Sequence, residues 1–172
     1  MWNGTFFQRT TLRDLGLRVQ LGHALGDPCP TLLAANVTFR VIHLNGIHQV
    51  AVDQCRCQGA VEFYRQLLRI GWWPATQLNP KTVATMEVLR HFHLLNLHGK
   101  VTGSNFYQAL EYQTDNTGLN PSVSSLALPS MFSQLKWKKG RLNTFMLMVR
   151  EWRDIQGDLE SKIESLKRAA PG

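Results

Sequence analysis

The chain has 172 residues, 44% of them hydrophobic, and a formal charge of +7. That is enough apolar material for one packed core and excludes wholesale disorder. No apolar run approaches the roughly 18 residues of a membrane span.

From the N-terminus, MWNGTFFQRT has neither the basic head nor the apolar middle of a signal peptide. With no secretory signal, the three cysteines point to a reducing compartment, where they bind metal, react or pack more often than they form disulfides. Leu17, Val19 and Leu21 alternate with Arg18 and Gln20, a period of two that predicts a short strand. Gly22 to Pro30, GHALGDPCP, is turn chemistry and carries His23 and Cys29. Val37 to Cys57 is the stretch the chain is organised around. Two β-branched and apolar runs flank Asn45-Gly46, the strongest short-range hairpin signal, because both turn residues need positive φ. Such a turn sets Leu44 opposite Ile47, His43 opposite His48, Val41 opposite Val50 and Phe39 opposite Val52. Phe39, Val41, Val50 and Val52 then share one face that the rest of the chain must cover.

Beyond the hairpin, Ala60, Phe63, Tyr64, Leu67 and Leu68 recur at helical spacing, and Gly71 is placed to end that helix. Asn79-Pro80 reads as the start of a second helix, buried through Val88, Leu89, Phe92 and Leu95 and closed by Gly99. A third helix is expected over 103–113, with Phe106, Tyr107 and Leu110 inward. Asp115-Asn116-Thr117-Gly118 ends this first region, 1–118. Residues 119–140 have no clear period and read as an irregular linker or insertion. From Arg141 the helical spacing returns through Phe145, Met148, Trp152, Ile155, Leu159, Ile163 and Leu166. The segment 141–172 is therefore an amphipathic helix, which Gly157 is expected to bend or split at a cost of about 1 kcal/mol. Its apolar stripe needs a partner, either the hairpin domain or a second copy of the chain. The expected fold is α+β: a small antiparallel sheet built on the hairpin, covered by three helices, plus the C-terminal helix.

Charge is unevenly spread. Lys136, Lys138, Lys139 and Arg141 hold more than half of the excess within one short run. Such a run suits DNA or another acidic partner, and equally a solvated loop.

His23, Cys29, Cys55 and Cys57 are the ligand types gathered at the base of the hairpin. Zn²⁺ takes four nitrogen or sulfur donors in a structural site. A strand leaving the sheet at Cys55 and a turn carrying His23 and Cys29 could supply them, or the three cysteines could be packed thiols. His48 is a poor fourth donor, because seven residues of extended strand separate it from Cys55 by roughly 23 Å. His91, His93 and His98 read as ordinary helix residues. There is no H-E-x-x-H pattern, no G-x-S-x-G context and no Gly-rich phosphate loop. The acids show no two-metal or acid–base constellation. An enzyme is the weaker reading.

WNGTFF (2–7), LRDLGLRVQLGH (12–23), Cys29, FRVIHLNGIHQVAVDQCRC (39–57), QLLRIGWWPAT (66–76), FHLLNLHGK (92–100), FYQALEYQTDNTG (106–118) and MVREWRD (148–154) together resemble one family. It is the CxC-type cysteine-cluster domain associated with KDZ (Kyakuja–Dileera–Zisupton) transposases of fungi. The resemblance implies a nuclear, zinc-chelating accessory domain that precedes an RNase H-like transposase domain and helps it engage DNA or assemble. It implies Cys29, Cys55 and Cys57 as the cysteine ligands and offers His23 and His48 as the histidines. It further implies that this chain is a fragment without the catalytic part. The expected partners are DNA, through Lys136, Lys138, Lys139 and Arg141, and a transposase domain or a second copy through the C-terminal helix, with no membrane. The alternative is a protein-interaction module that acts through the C-terminal helix without zinc.

Overall fold

The computed structural model describes residues 4–5, 10–24, 26–114 and 131–169, with the side chains of the last segment described over 140–162. It divides into two compact units, Met1–Leu126 and Ala127–Gly172. The first holds strands β1 (Arg18–Gln20), β2 (Leu32–Ala34), β3 (Arg40–His43), β4 (Gly46–Gln49), β5 (Ala51–Cys55), β6 (Trp72–Pro74) and β7 (Thr82–Thr85). Its helices are α1 (Phe63–Arg69), α2 (Met86–Gly99) and α3 (Gly103–Thr114); the second unit holds α4 (Met131–Ala169).

The class is α+β, as the sequence predicts, but the sheet is not a single antiparallel one. The strands form two mixed sheets, ordered β1-β5-β2 and β4-β3-β7-β6. β1 runs parallel to β5 and β3 parallel to β7. The run from Gly46 to Cys55 serves both sheets, changing from one to the other at Val50. One core closes over it: Leu21, Phe39, Val41, Val50, Val52, Leu67 and Val83 are buried together. Phe39 is flanked by the rings of Phe63 and Trp72, with centroids 6.1 and 6.4 Å away.

The hairpin turn lies one residue upstream of its expected place. Val41 pairs with His48 and His43 with Gly46, which leaves Leu44 and Asn45 as the turn. Asn45 does not take positive φ; Gly46 does, at 129°. The cause is tertiary. The Ile47 N–H donates to Thr114 Oγ1 at 2.6 Å, and a Cβ on Gly46 would stand 2.7 Å from that oxygen. The end of α3 therefore moulds the turn. Cross-strand partners shift by two residues, so no side chain changes face, and the four expected core residues stay buried. His43 and His48 are not directly opposed. His43 Nδ1 lies 3.0 Å from Thr85 Oγ1, and His48 Nε2 lies 2.8 Å from Asn45 Oδ1.

Asn79-Pro80 does not start α2. Thr82, Val83 and Thr85 are β-branched and extend the second sheet first. Thr85 then caps α2, its side chain accepting from the Val88 N–H. β6 ends in Pro74 and is an edge strand, where a missing N–H is tolerated. α3 buries Phe106, Tyr107 and Leu110 as expected.

In the second unit α4 starts at Met131, ten residues before Arg141, and Gly157 does not interrupt it. Phe145, Met148, Val149 and Trp152 are buried, whereas Ile155 and Leu159 on the same stripe are exposed. Ile163 and Leu166 lie outside the described side chains. Residues 115–130, with the Asp115–Gly118 ending and most of the expected linker, lie outside the described residues, as does Pro171-Gly172.

Candidate metal centre

The candidate site sits at one end of the first sheet, and its register explains why. β5 is the central strand and supplies Cys55 as its last residue. Parallel pairing with β1 sets Gln20 beside Asp53, so the chain leaving β1 reaches Cys55 at Gly22. Gly22 has φ +85, and a Cβ there would lie 2.5 Å from the Cys55 Cβ. Only a residue without Cβ fits that approach, and it delivers His23 to the centre. Antiparallel pairing with β2 on the other side sets Leu32 beside Cys55, and the Arg56 N–H donates to the Thr31 carbonyl. The segment before β2 therefore runs alongside Cys57 and brings Cys29 with it. Three chain segments meet there because one strand has a neighbour on each side.

His23, Cys29, Cys55 and Cys57 each offer one ligand atom, all within 4.8 Å of one another. Cys29 Sγ and Cys57 Sγ are 3.5 Å apart. His23 Nε2 is 3.3 Å from Cys55 Sγ and 3.5 Å from Cys57 Sγ. Cys29 and Cys55 are buried, while Cys57 is partly exposed. Four donors converging on one point from a buried shell could hold a metal ion. His48 is not in this group, as strand length predicts.

The surrounding contacts orient the donors. His23 presents Nε2 to the sulfurs, while its Nδ1 lies 3.5 Å from Asp27 Oδ2. A carboxylate on the far nitrogen keeps the proton on Nδ1 and leaves the Nε2 lone pair free for a metal. Cys55 Sγ accepts the Cys57 N–H at 3.4 Å. Gln66, buried on α1, accepts the Cys55 N–H at 2.9 Å and donates to the Cys55 carbonyl at 3.0 Å and the Val61 carbonyl at 2.7 Å. Gln20 acts likewise on the other segment, accepting the Cys29 N–H at 3.1 Å and donating to the Asp27 carbonyl at 2.6 Å. Each glutamine amide thus clamps one ligand-bearing segment.

The thiols oppose one another's ionisation. The Cys57 backbone N–H, helped by hydrogen bonds from Cys57, Cys29 and His23, draws the Cys55 thiol down to about 7 against the effect of burial. Cys55, then Cys29 and burial, push Cys57 up to about 11. Ionisation is thus favoured at Cys55 and opposed at Cys57. A divalent cation held by these residues would favour ionisation of all three thiols together.

The structure brings together the four side chains that the sequence gathers at the base of the hairpin. Sequence reasoning misses Gln20, Gln66 and Asp27. Gln20 enters only as a polar residue alternating with Val19 and Leu21, and Asp27 only among acids without a constellation. Asp27 lies four residues after His23, a spacing that could have drawn notice. Lys136, Lys138 and Lys139 fall on α4 with side chains outside those described, and Arg141 is half-buried.

The family model "CxC2 like cysteine cluster associated with KDZ transposases" matches residues 12–118. No curated protein and no solved structure matches the chain. The matched segment contains all four clustered ligands, β1 through α3 and the glycine that lets them meet. On that match the chain belongs to the CxC2-like cysteine-cluster family associated with KDZ transposases.

Proposed function

We propose that this chain is a zinc-binding, non-catalytic accessory module of a KDZ-type transposase, acting in the nucleus to help the transposase engage DNA or assemble. The observation that carries the reading is the convergence of His23, Cys29, Cys55 and Cys57. Tetrahedral zinc, with Zn–S of about 2.3 Å and Zn–N of about 2.0 Å, has S···S edges near ~3.8 Å and S···N edges near ~3.6 Å. The observed 3.5 Å between sulfurs and 3.3 and 3.5 Å from sulfur to nitrogen lie close to those edges. Thiolate and imidazole donors also suit zinc better than hard oxygen-loving cations. Four protein donors leave no open coordination position for water or substrate, which is the pattern of a structural site. The ion would cross-link three segments that otherwise share only strand pairing and two glutamine clamps.

Metal content per chain is the test, on protein purified without added metal. The parent should carry about one zinc, and the double variant Cys55→Ser, Cys57→Ser none. A folded parent without zinc would overturn the metal reading.

The DNA part rests on the net charge of +7 and on Lys136, Lys138, Lys139 and Arg141. Contacts to phosphate release counterions, so log affinity for duplex should fall against log salt with a slope of about −3 to −4 if all four engage. Replacing the three lysines with glutamine should flatten it. A salt-independent affinity would remove DNA from the proposal.

A second reading is favoured by α4. Ile155 and Leu159 are exposed and lie at helical spacing from buried Trp152. In this reading that stretch receives a partner helix, and the basic run is incidental.

A further inference from the structure

We infer that Cys29 and Cys57 are the oxidisable pair of this centre, which a hydroperoxide joins as a disulfide, expelling the metal. The inference rests on the zinc reading above and adds a regulation of the same site.

The three thiols are not equivalent. Cys57 is the partly exposed one; Cys29 and Cys55 are buried. A cavity of about 220 Å³ opens beside the cluster, lined by His23, Cys55, Cys57, Gln58, Gly59 and Arg69, with Cys29 outside its wall. A small oxidant therefore meets Cys57 from the cavity, and the Cys29 sulfur lies 3.5 Å from that of Cys57, outside the cavity wall. Cys55 lines the cavity too but is 3% exposed. Its backbone N–H and carbonyl are both held by Gln66. Cys57 lies two residues past the end of β5, with no ladder partner of its own. Among the described residues its carbonyl accepts only the nearby Ala60 N–H, and its sulfur has 3.5 Å to close to Cys29 before the ~2.05 Å of a bond. A Cys55–Cys57 link would instead close a small ring within one clamped strand end.

The chemistry balances. The Cys57 thiolate attacks one oxygen of the hydroperoxide, the O–O bond breaks, and the alkoxide leaves as alcohol after taking a proton. Cys57 is then a sulfenic acid. The Cys29 thiolate attacks that sulfur, the S–O bond breaks, and hydroxide leaves as water with a second proton. Two electrons pass from the sulfurs to the peroxide. Two thiolates, one hydroperoxide and two protons give one disulfide, one alcohol and one water. His23 and Cys55 alone are too few donors to retain a structural zinc.

The test uses the full chain and hydrogen peroxide. Zinc is quantified before any oxidant is added, which checks the metal reading separately. Peroxide is then added to the loaded chain, with free zinc followed by a chromogenic chelator and disulfides mapped by mass spectrometry. The expected result is release of the bound zinc, loss of two thiols in three, an intramolecular Cys29–Cys57 link, and reversal by dithiothreitol with zinc. A Cys55–Cys57 link, over-oxidation of Cys57 without a link, or thiols that survive peroxide would each overturn the assignment. In the variant Cys29→Ser, Cys57 should stop at the sulfenic acid, trapped by dimedone; a disulfide formed there instead would overturn Cys29 as the resolving thiol.

Discussion

Asp27 shows how one side chain outside the ligand set can matter. It is largely exposed, yet its carboxylate stands 3.5 Å from the His23 nitrogen that faces away from the sulfurs. A partner of this kind orients the imidazole toward the metal, an effect worth about 10–100-fold in metal affinity when removed. Exposure places Asp27→Asn at the low end, so a roughly tenfold weaker zinc affinity is expected. Chelator competition would measure it, with unchanged far-UV circular dichroism as the control for folding. Equal affinities would mean that the imidazole is oriented without Asp27. At this scale the four clustered residues were legible, because cysteine and histidine have few alternative uses at the end of a strand. The clamps were not, because a glutamine in a sequence does not reveal which backbone groups it will reach.

Among the elements, the hairpin carries the clearest lesson. Asn45-Gly46 is a strong local signal, and the hairpin it announces is present. Its register is nevertheless set by α3, whose last residue gives Thr114 Oγ1 to the Ile47 N–H while also donating to the Leu110 carbonyl at 2.7 Å. Thr114→Val keeps the shape and removes both bonds. The expected loss is about 1 kcal/mol per bond, less where water replaces the partner, read as a lower urea midpoint with an unchanged slope. An unaltered midpoint would show that the turn holds its place without α3. The same competition explains the late start of α2: Thr82–Thr85 had a parallel neighbour in β3, and ladder pairing outweighed the Asn-Pro helix signal. α3 and β3 are both far in sequence from the segments they fix, so the local pattern does not announce them.

For the molecule as a whole, the ligands lie in one compact unit and the long helix in the other. Metal binding and association through α4 can therefore be tested separately. If the exposed Ile155 and Leu159 receive another helix, the full chain should show a mass that rises with concentration in sedimentation. Ile155→Asp with Leu159→Asp should return it to the monomer mass while leaving zinc content unchanged. A monomer at all concentrations would argue against self-association through this stripe. No helix among the described residues is long and apolar enough to cross a membrane.

The sequence by itself determined the class of the fold, the buried face of the hairpin, the helices α1, α3 and α4 in outline, and the four residues of the cluster. Those follow from short-range rules: side-chain period, turn residues, and the few chemistries open to cysteine and histidine. The tertiary structure alone decided that the strands divide between two mixed sheets, that β1 and β2 flank β5, and that Gly22 meets Cys55. Parallel pairing joins segments far apart in the chain, and its free energy depends on what each strand finds beside it. The candidate metal site depends on both. Residue types make it possible, and the register of three strands brings the donors within reach of one ion.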